Sequence, residues 1–254
     1  MSERQSLWVE DMCRRLAPIE RETLEKLGEK EGGFFVWVAE DWIKINTALV
    51  VAYPGERECN LVRLTFGGLL KEVSWFQSFF VTGNYPLLLS RLRFIWEFIF
   101  RAYFAEHYPL GSSHPWAPPG PSPDDKLAWW KEHERERGGG LNWDRCMEPV
   151  LRAVFPLAKR EQQVRQYYKD LFQELHKYVH PSACLARKMI GESTLLITDN
   201  FDERWALEAI DVARKVFDLV WLAVLQHHPE AFGRVEKLSG EYPILKMVFE
   251  GERE

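Results

Sequence analysis

Apolar residues recur at helical spacing along most of the chain, with polar residues between them. The first such run ends at Gly28, and Pro18 within it is expected to kink or split the helix. Gly67 and Gly68 lie inside another run, where close packing or a bend is expected. The breaks between runs predict further helices, over 34–52, 56–81, 86–107, 123–137, 142–155, 159–179, 182–190 and 201–226.

The segment 86–107 is apolar on nearly all sides, which is typical of a buried central helix. Ser90, Arg93, Glu97 and Arg101 are polar exceptions that fall on one narrow stripe of this helix. Because the flanking residues are aromatic or aliphatic, the stripe is expected to line a cavity, an interface or a buried network. The alternative explanation is a ladder of i, i+4 ion pairs that satisfies itself.

A proline-rich stretch interrupts the helical pattern. Six prolines between residues 108 and 123 exclude a packed helix there, so this stretch is predicted to be a linker or an extended arm. Residues 194–198 are β-branched and apolar, which is compatible with one short extended segment. The predicted fold is an all-α multi-helix bundle, in a single domain with N-terminal helices over 1–84, a central helix over 86–107, the linker over 108–123 and C-terminal helices over 124–254. Its centre is expected to consist of 86–107, 159–179 and 201–226.

Composition adds few positive indications but excludes several classes of protein. The formal net charge of -5 provides no overall basic field, and the four cysteines form no CxxC motif. The N-terminus lacks the apolar core of a secretory signal, and the apolar stretches are too short or too interrupted to span a membrane. We therefore expect a cytoplasmic protein that has no membrane contact, and the many Glu, Arg and Lys residues suggest a thermophilic source. No cofactor is expected, because nucleotide-binding glycine motifs and nucleophile-elbow motifs are missing.

The predicted helix over 159–179 has a basic edge. Arg165, Lys169, His176 and His180 lie together beside its apolar face. Two histidines at i and i+4 can bind one metal ion, but no HExxH motif and no third ligand accompany them, so we expect no metal site. The histidines can instead interact with the negative end of the helix dipole, or one of them can act as a general acid or base.

We expect this edge to meet the charged stripe of 86–107 in one pocket. Arg93, Glu97, His176, His180 and Asp218 form the expected constellation, in which Asp218 pairs with an arginine. The roles that we assign are acid–base chemistry for His176, His180 and Glu97, phosphate binding for Arg93, Arg165 and Lys169, and support of these groups for Arg101, Tyr178 and Asp218.

Three segments carry a resemblance to known proteins. They are RLRFIWEFIFRAYF (91–104), LFQELHKYVHPS (171–182) and FDERWALEAIDVARKVFDLVWLAVL (201–225). Together they resemble a group of uncharacterised helical proteins from archaea and bacteria, which is distantly similar to the HEPN superfamily. The most specific element is the string LHKYVHPS, and the resemblance spans about 86–226. It implies an all-α fold.

The resemblance also implies a function. HEPN ribonucleases typically carry an Arg and a His, separated by four to six residues, on one helix, and often pair such sites across a dimer to cut RNA without a metal. In this chain Lys169 stands at the outermost such position before His176, while Gln173, Glu174 and Leu175 precede His180. Lysine neutralises a phosphate but lacks the bidentate fork of arginine. The resemblance therefore implies RNA or nucleotide binding and a homodimer, although the arginine of the cleavage motif is missing.

Two functions remain open from the sequence. The first is a HEPN-like protein that binds RNA or a nucleotide and can cleave RNA. The alternative is a non-enzymatic helical scaffold or a regulatory protein-interaction domain, in which the charged stripe and the histidines are structural. The first predicts that the basic edge faces an open cleft, and the second predicts that internal salt bridges bury it.

Overall fold

The computed structural model describes residues 3–53, 60–107, 120–136, 161–179, 201–232, 238–239 and 241–250. Every regular element in these ranges is an α-helix, which confirms the predicted all-α fold. In chain order the helices are α1 Glu3–Gly32, α2 Phe34–Ala52, α3 Leu61–Val73, α4 Phe76–Val81, α5 Tyr85–His107, α6 Pro123–Glu136, α7 Glu161–Val179, α8 Glu203–His227, α9 Pro229–Phe232 and α10 Pro243–Glu250. The predicted helices over 142–155 and 182–190, the extended segment 194–198 and most of the linker lie outside the described residues.

α5 and α8 form the central pair of the bundle. α5 also packs against α3, α4, α6 and α7, while α8 also packs against α1, α7, α9 and α10. Every residue from Val216 to Leu225 is buried, as expected for a helix segment in which Asp218 is the one polar residue. α7 packs against both helices of this pair, so the three segments that the sequence predicts as the centre contact one another.

A cluster of large aromatic rings joins α2, α3 and α8. Trp42 stacks on Phe66 with ring centroids 4.1 Å apart, and the ring of Trp221 lies 5.3 Å from that of Trp42. The indole N–H of Trp42 donates a hydrogen bond to the backbone carbonyl of Phe66 at 3.1 Å. Rings of this size bury large apolar areas, and their mutual contacts add about 1 kcal/mol each. The high aromatic content thus stabilises the contacts between these helices.

The first helix bends at a different residue from the one predicted. Gly28 has φ 71° and ψ 177°, whereas no non-helical backbone angles occur at Pro18. A positive φ costs glycine little, because it has no Cβ to meet the carbonyl oxygen. Gly28 therefore both ends the predicted run and provides the bend.

The predicted helix over 56–81 is divided into α3 and α4. The division falls at Ser74 and Trp75, while Gly67 and Gly68 lie inside the uninterrupted α3. The Ser74 hydroxyl donates to the carbonyl of Lys71 at 2.7 Å, a local hydrogen bond that competes with continuation of the helix. The glycine pair, where close packing or a bend is expected, therefore does not interrupt the helix, and a Cβ at Gly67 would lie 3.5 Å from Oδ1 of Asn46 on α2.

α6 begins with the capping arrangement that the sequence indicates. The Ser122 hydroxyl accepts the backbone N–H of Asp125 at 3.1 Å, and the Asp125 carboxylate accepts the backbone N–H of Ser122 at 3.2 Å. This reciprocal pair satisfies two donors at the helix start. The Ser122 hydroxyl also donates to Asp125 at 2.7 Å, and these hydrogen bonds lower the pKa of Asp125.

None of the described helices is long and apolar enough to cross a membrane. The long central helix α5 carries four charged residues within eleven positions, at Arg91, Arg93, Glu97 and Arg101. Each charge would be costly in the hydrocarbon region of a bilayer.

Candidate functional site

α5 carries a row of three charged side chains, one helical turn apart. Nε of Arg93 donates to Oε1 of Glu97 at 2.6 Å, and Nη2 of Arg101 lies 3.5 Å from Oε2 of Glu97. Each carboxylate oxygen therefore faces one guanidinium, as the i, i+4 spacing predicts. Because two cations share one anion, the row keeps a net positive charge.

The guanidinium of Arg93 lies in the contact between α5 and α7. Its side chain is 9% exposed, and its central carbon lies 4.8 Å from the ring centroid of Phe172. Nη1 of Arg93 lies 3.4 Å from Nδ1 of His176. The ion pair with Glu97 and the cation–π contact with Phe172 restrict the guanidinium to one position. A cation of fixed position thus lies beside the imidazole.

His176 is on the exposed side of α7, one turn after Phe172. The ring centroids of these two residues are 6.0 Å apart. A guanidinium has no hydrogen-bond acceptor, so a hydrogen bond between Arg93 and His176 requires Nδ1 to be unprotonated. In that tautomer Nε2 carries the ring proton. We call Arg93, Glu97, Arg101, Phe172 and His176 the Arg93 network.

Tyr168 lies beneath this network and is fully buried. Burial raises the pKa of its hydroxyl well above the usual range, and the negative charge of Glu97 raises it further while Arg93 opposes the shift. The hydroxyl therefore stays neutral at physiological pH. Its ring lies 4.6 Å from that of Trp96, so Tyr168 supports the contact between α5 and α7.

Two half-exposed aromatic rings border the Arg93 network on α5. Phe94 is 39% exposed and Phe98 is 37% exposed, and their rings stack with centroids 5.3 Å apart. The guanidinium of Arg91 lies 5.9 Å from the Phe94 centroid. Exposed rings among cationic side chains form a surface of mixed apolar and basic character.

The structure brings only some of the predicted site residues together. Arg93, Glu97 and His176 meet, with Arg101 bound to the far oxygen of Glu97. Lys169 is exposed on α7, two turns before His176 and on the same edge. The side chain of Arg165 and all of His180 lie outside the described residues.

Tyr178 and Asp218 make their contacts elsewhere. The buried Tyr178 hydroxyl donates a hydrogen bond to Glu208, which ties α7 to α8. Asp218 was expected to pair with an arginine, but its carboxylate accepts the backbone N–H groups of Ile244 at 2.8 Å and Leu245 at 2.7 Å. The positive end of α10 therefore takes the place of the expected cation.

The buried position of Asp218 changes the pKa of its side chain. Burial raises the pKa of its carboxyl group to about 6, although the two hydrogen bonds from the backbone oppose the shift.

Sequence analysis missed α10 altogether. The available signal was Pro243 followed by Ile244 and Leu245, since proline is favoured at the first position of a helix.

Asp41 is a second buried carboxylate that sequence analysis missed. It accepts the backbone N–H of Ser239 at 2.8 and 3.0 Å and the hydroxyl of Tyr242 at 3.0 Å. Nζ of Lys44 lies 3.3 Å from it. The sequence signal for such a site was a charged residue on the apolar face of a predicted helix, because a buried charge needs hydrogen-bond partners. Asp41 and Asp218 together hold the segment that leads into α10.

No three His, Cys, Asp or Glu side chains that could hold a metal ion come together in the part of the chain that the structure describes. No family model matches the chain, and no significantly similar curated protein or solved structure was found. Functional conclusions therefore depend on the geometry of the Arg93 network and on the chemistry of its residues.

Proposed function

We propose that the protein binds RNA or a nucleotide through a phosphate contact at the Arg93 network, and that His176 can promote metal-free cleavage of RNA. The distance of 3.4 Å between Nη1 of Arg93 and Nδ1 of His176 is the observation that supports this proposal. An arginine and a histidine side by side combine a phosphate ligand with an acid–base group. The resemblance to HEPN proteins points to the same chemistry.

Arg93 provides the arginine that the α7 sequence lacks near His176. The HEPN-type motif needs an arginine near the histidine, and on α7 the corresponding position is Lys169. Arg93 reaches His176 from the neighbouring helix instead, so the guanidinium need not come from α7. Lys169, exposed on the same edge as His176, adds a second cation for the nucleic acid backbone.

The reaction would proceed by proton transfer and charge stabilisation. In its neutral form His176 would take the proton of a ribose 2′-hydroxyl at Nδ1, once a bound phosphate has drawn the Arg93 guanidinium from this nitrogen. The deprotonated 2′-oxygen then attacks the adjacent phosphorus. The bond to the 5′-oxygen breaks, and this leaving oxygen takes a proton from water. Arg93 would stabilise the additional negative charge on the phosphoryl oxygens.

Glu97 has a different role in this proposal from the acid–base role that its sequence suggests. Both of its oxygens face guanidinium groups, so neither is well placed to take a proton from a substrate. Its ion pair fixes the orientation of Arg93, which makes Glu97 a positioning residue.

The experiment is cleavage and binding of a mixed RNA pool, with and without EDTA. We expect wild type to cut RNA in the presence of EDTA, His176→Ala to lose cleavage while still binding, and Arg93→Lys to weaken both. Asp170→Ala is the matched control, because Asp170 is exposed on α7 away from the His176 edge. The pH profile of cleavage by Glu97→Gln tests the role of Glu97. A profile that differs from that of wild type indicates that Glu97 positions Arg93, whereas an unchanged profile indicates that it only supports the fold.

A second function is favoured by one specific observation. The Arg93 side chain is nearly buried and already paired with Glu97, as expected for a structural tie between α5 and α7 in a helical scaffold. If folded wild type neither binds nor cuts RNA, the scaffold explanation replaces the first. Cleavage that EDTA abolishes would contradict the metal-free mechanism.

A further inference from the structure

The outer face of α2 is unusually apolar for a surface. Val36, Ile43, Val50 and Val51 are 43%, 52%, 49% and 55% exposed, while the opposite face of the same helix is buried in the core. A helix that is apolar on both faces is normally covered on both. Exposed apolar patches of this kind mark interaction sites.

Val36, Ile43 and Val50 are seven residues apart, so they form one stripe along the helix. Such β-branched side chains at heptad spacing form the seam of helix pairs. The stripe is also symmetric about its centre, since Val36 and Val50 are equally far from Ile43. A twofold axis beside Ile43 would therefore place Val36 of each copy against Val50 of the other.

We propose that the protein forms a homodimer in which α2 packs antiparallel against α2 of a second copy, with Ile43 at the twofold axis. The occupant is a second copy rather than an unrelated helix because the face is complementary to itself. In the antiparallel arrangement Glu40 lies opposite Asn46 of the second copy, and Ala39 lies opposite Thr47. A parallel arrangement would instead bring the two Glu40 carboxylates together, and like charges repel.

α3 extends this surface. At 1.5 Å per residue α2 is about 28 Å long, and one helix of that length covers less than the roughly 800 Å² per partner that a stable interface needs. Leu64 on α3 is 47% exposed, and Gly68 is exposed beside it. A Cβ at Gly68 would meet nothing within 4 Å, so no contact inside the molecule requires glycine there. Close approach of a second copy would explain why position 68 is a glycine.

The proposed interface residues lie on α2 and α3, and the Arg93 network lies on other helices. α2 packs on α1, α3, α4 and α9, whereas the Arg93 network lies on α5 and α7. The dimer therefore does not depend on the proposed RNA chemistry. An experiment that contradicts the dimer therefore does not contradict RNA binding, and the reverse also holds.

Sedimentation velocity over a wide concentration range tests the dimer. We expect wild type to dimerise and Ile43→Arg to raise the dissociation constant by about a hundredfold or more. Leu207→Arg is the matched control, because Leu207 is 45% exposed on α8 and should leave the dimer unchanged. A wild type that stays monomeric, or a dimer that Ile43→Arg leaves intact, overturns the proposal.

Disulfide cross-linking tests the geometry. Ile43→Cys should form a covalent dimer on oxidation, because the residue faces itself at the axis. Val36→Cys should not, since the two copies of Val36 would be about 21 Å apart in the antiparallel arrangement. Wild type under the same conditions controls for the native cysteines. Cross-linking of Val36→Cys as efficient as that of Ile43→Cys overturns the antiparallel arrangement.

Discussion

Asp218 has no solvent-exposed surface and accepts its hydrogen bonds from backbone amides of α10. A neutral N–H group stabilises the charge of a buried carboxylate less than a cation does. The unfavourable loss of hydration therefore outweighs the two hydrogen bonds. The pKa therefore rises from an ordinary value of 3.8 to about 6. The folded protein binds this proton more tightly than the unfolded chain.

Asp218 should make the stability of the protein depend on pH. Because the folded pKa is the higher one, the stabilisation by protonation is complete below about pH 4 and is lost as the pH rises to about 6. We expect the free energy of unfolding of wild type, minus that of Asp218→Asn, to fall by about 3 kcal/mol across this window. Urea unfolding at a series of pH values measures this difference.

The neighbouring tyrosines do not interfere with this measurement. Burial raises the pKa of both Tyr167 and Tyr242 above the ordinary range, so neither titrates in the window. A difference between wild type and Asp218→Asn that is constant or rises with pH would contradict the expected protonation of Asp218.

At the scale of elements, α10 is held through its backbone as well as through the buried side chains of Ile244 and Leu245. Asp218 binds the first turn of α10, and Asp41 binds the backbone N–H of Ser239 ahead of it. An eight-residue helix is too short to be stable by itself. Its position therefore depends on tertiary contacts, to which the two buried carboxylates contribute directional hydrogen bonds.

Asp218→Ala should loosen α10 selectively. The change leaves two buried N–H groups without their acceptor, which costs about 2 kcal/mol and raises amide exchange at Ile244 and Leu245 about thirtyfold. Asp41→Ala should raise exchange at Ser239 more than at Leu245. Hydrogen exchange followed by mass spectrometry or NMR measures both variants, with α5 as the internal reference. Equal acceleration throughout the bundle would instead indicate global destabilisation.

The sequence was sufficient to predict the long helices but not the short ones. α5, α7 and α8 lie within a few residues of their predicted bounds, because their apolar periodicity is long. α10 escaped detection because its capping carboxylate, Asp218, comes from another helix. At the break between α3 and α4, Ser74 makes a local side-chain hydrogen bond, a feature that no periodicity encodes.

At the scale of the whole molecule, Trp221 connects elements that are distant in sequence. Its ring lies 5.3 Å from that of Trp42, 5.9 Å from that of Phe66 and 6.0 Å from that of Tyr242. These neighbours belong to α2, α3 and the segment before α10. One side chain of α8 therefore contacts all three of these elements.

Trp221→Ala should destabilise the whole fold. Truncation of a fully buried ring leaves a large cavity, and we expect a loss of about 4 kcal/mol in the free energy of unfolding. Trp75→Ala is the matched control, because that ring is 54% exposed and should have a much smaller effect. Urea unfolding followed by circular dichroism measures both. Equal losses for the two variants would contradict this account of the core.

The candidate site could be predicted in part. The row of Arg93, Glu97 and Arg101 follows from spacing within one helix, and a contact of this row with His176 was a reasonable expectation. Which helices face each other around Asp218 depends on tertiary packing, and among the described residues its carboxylate binds the backbone of α10 where an arginine was expected. RNA binding and cleavage stay predictions until they are measured.

The contact between Trp42 and Trp221 also has a spectroscopic consequence. Two indoles 5.3 Å apart and inclined by 66° couple their electronic transitions, and this chiral coupling produces a pair of circular dichroism bands of opposite sign. The bands require fixed tertiary packing, so they should vanish in a compact state that keeps its helices but loses side-chain order. The protein thus contains its own optical probe of core assembly, which needs no label.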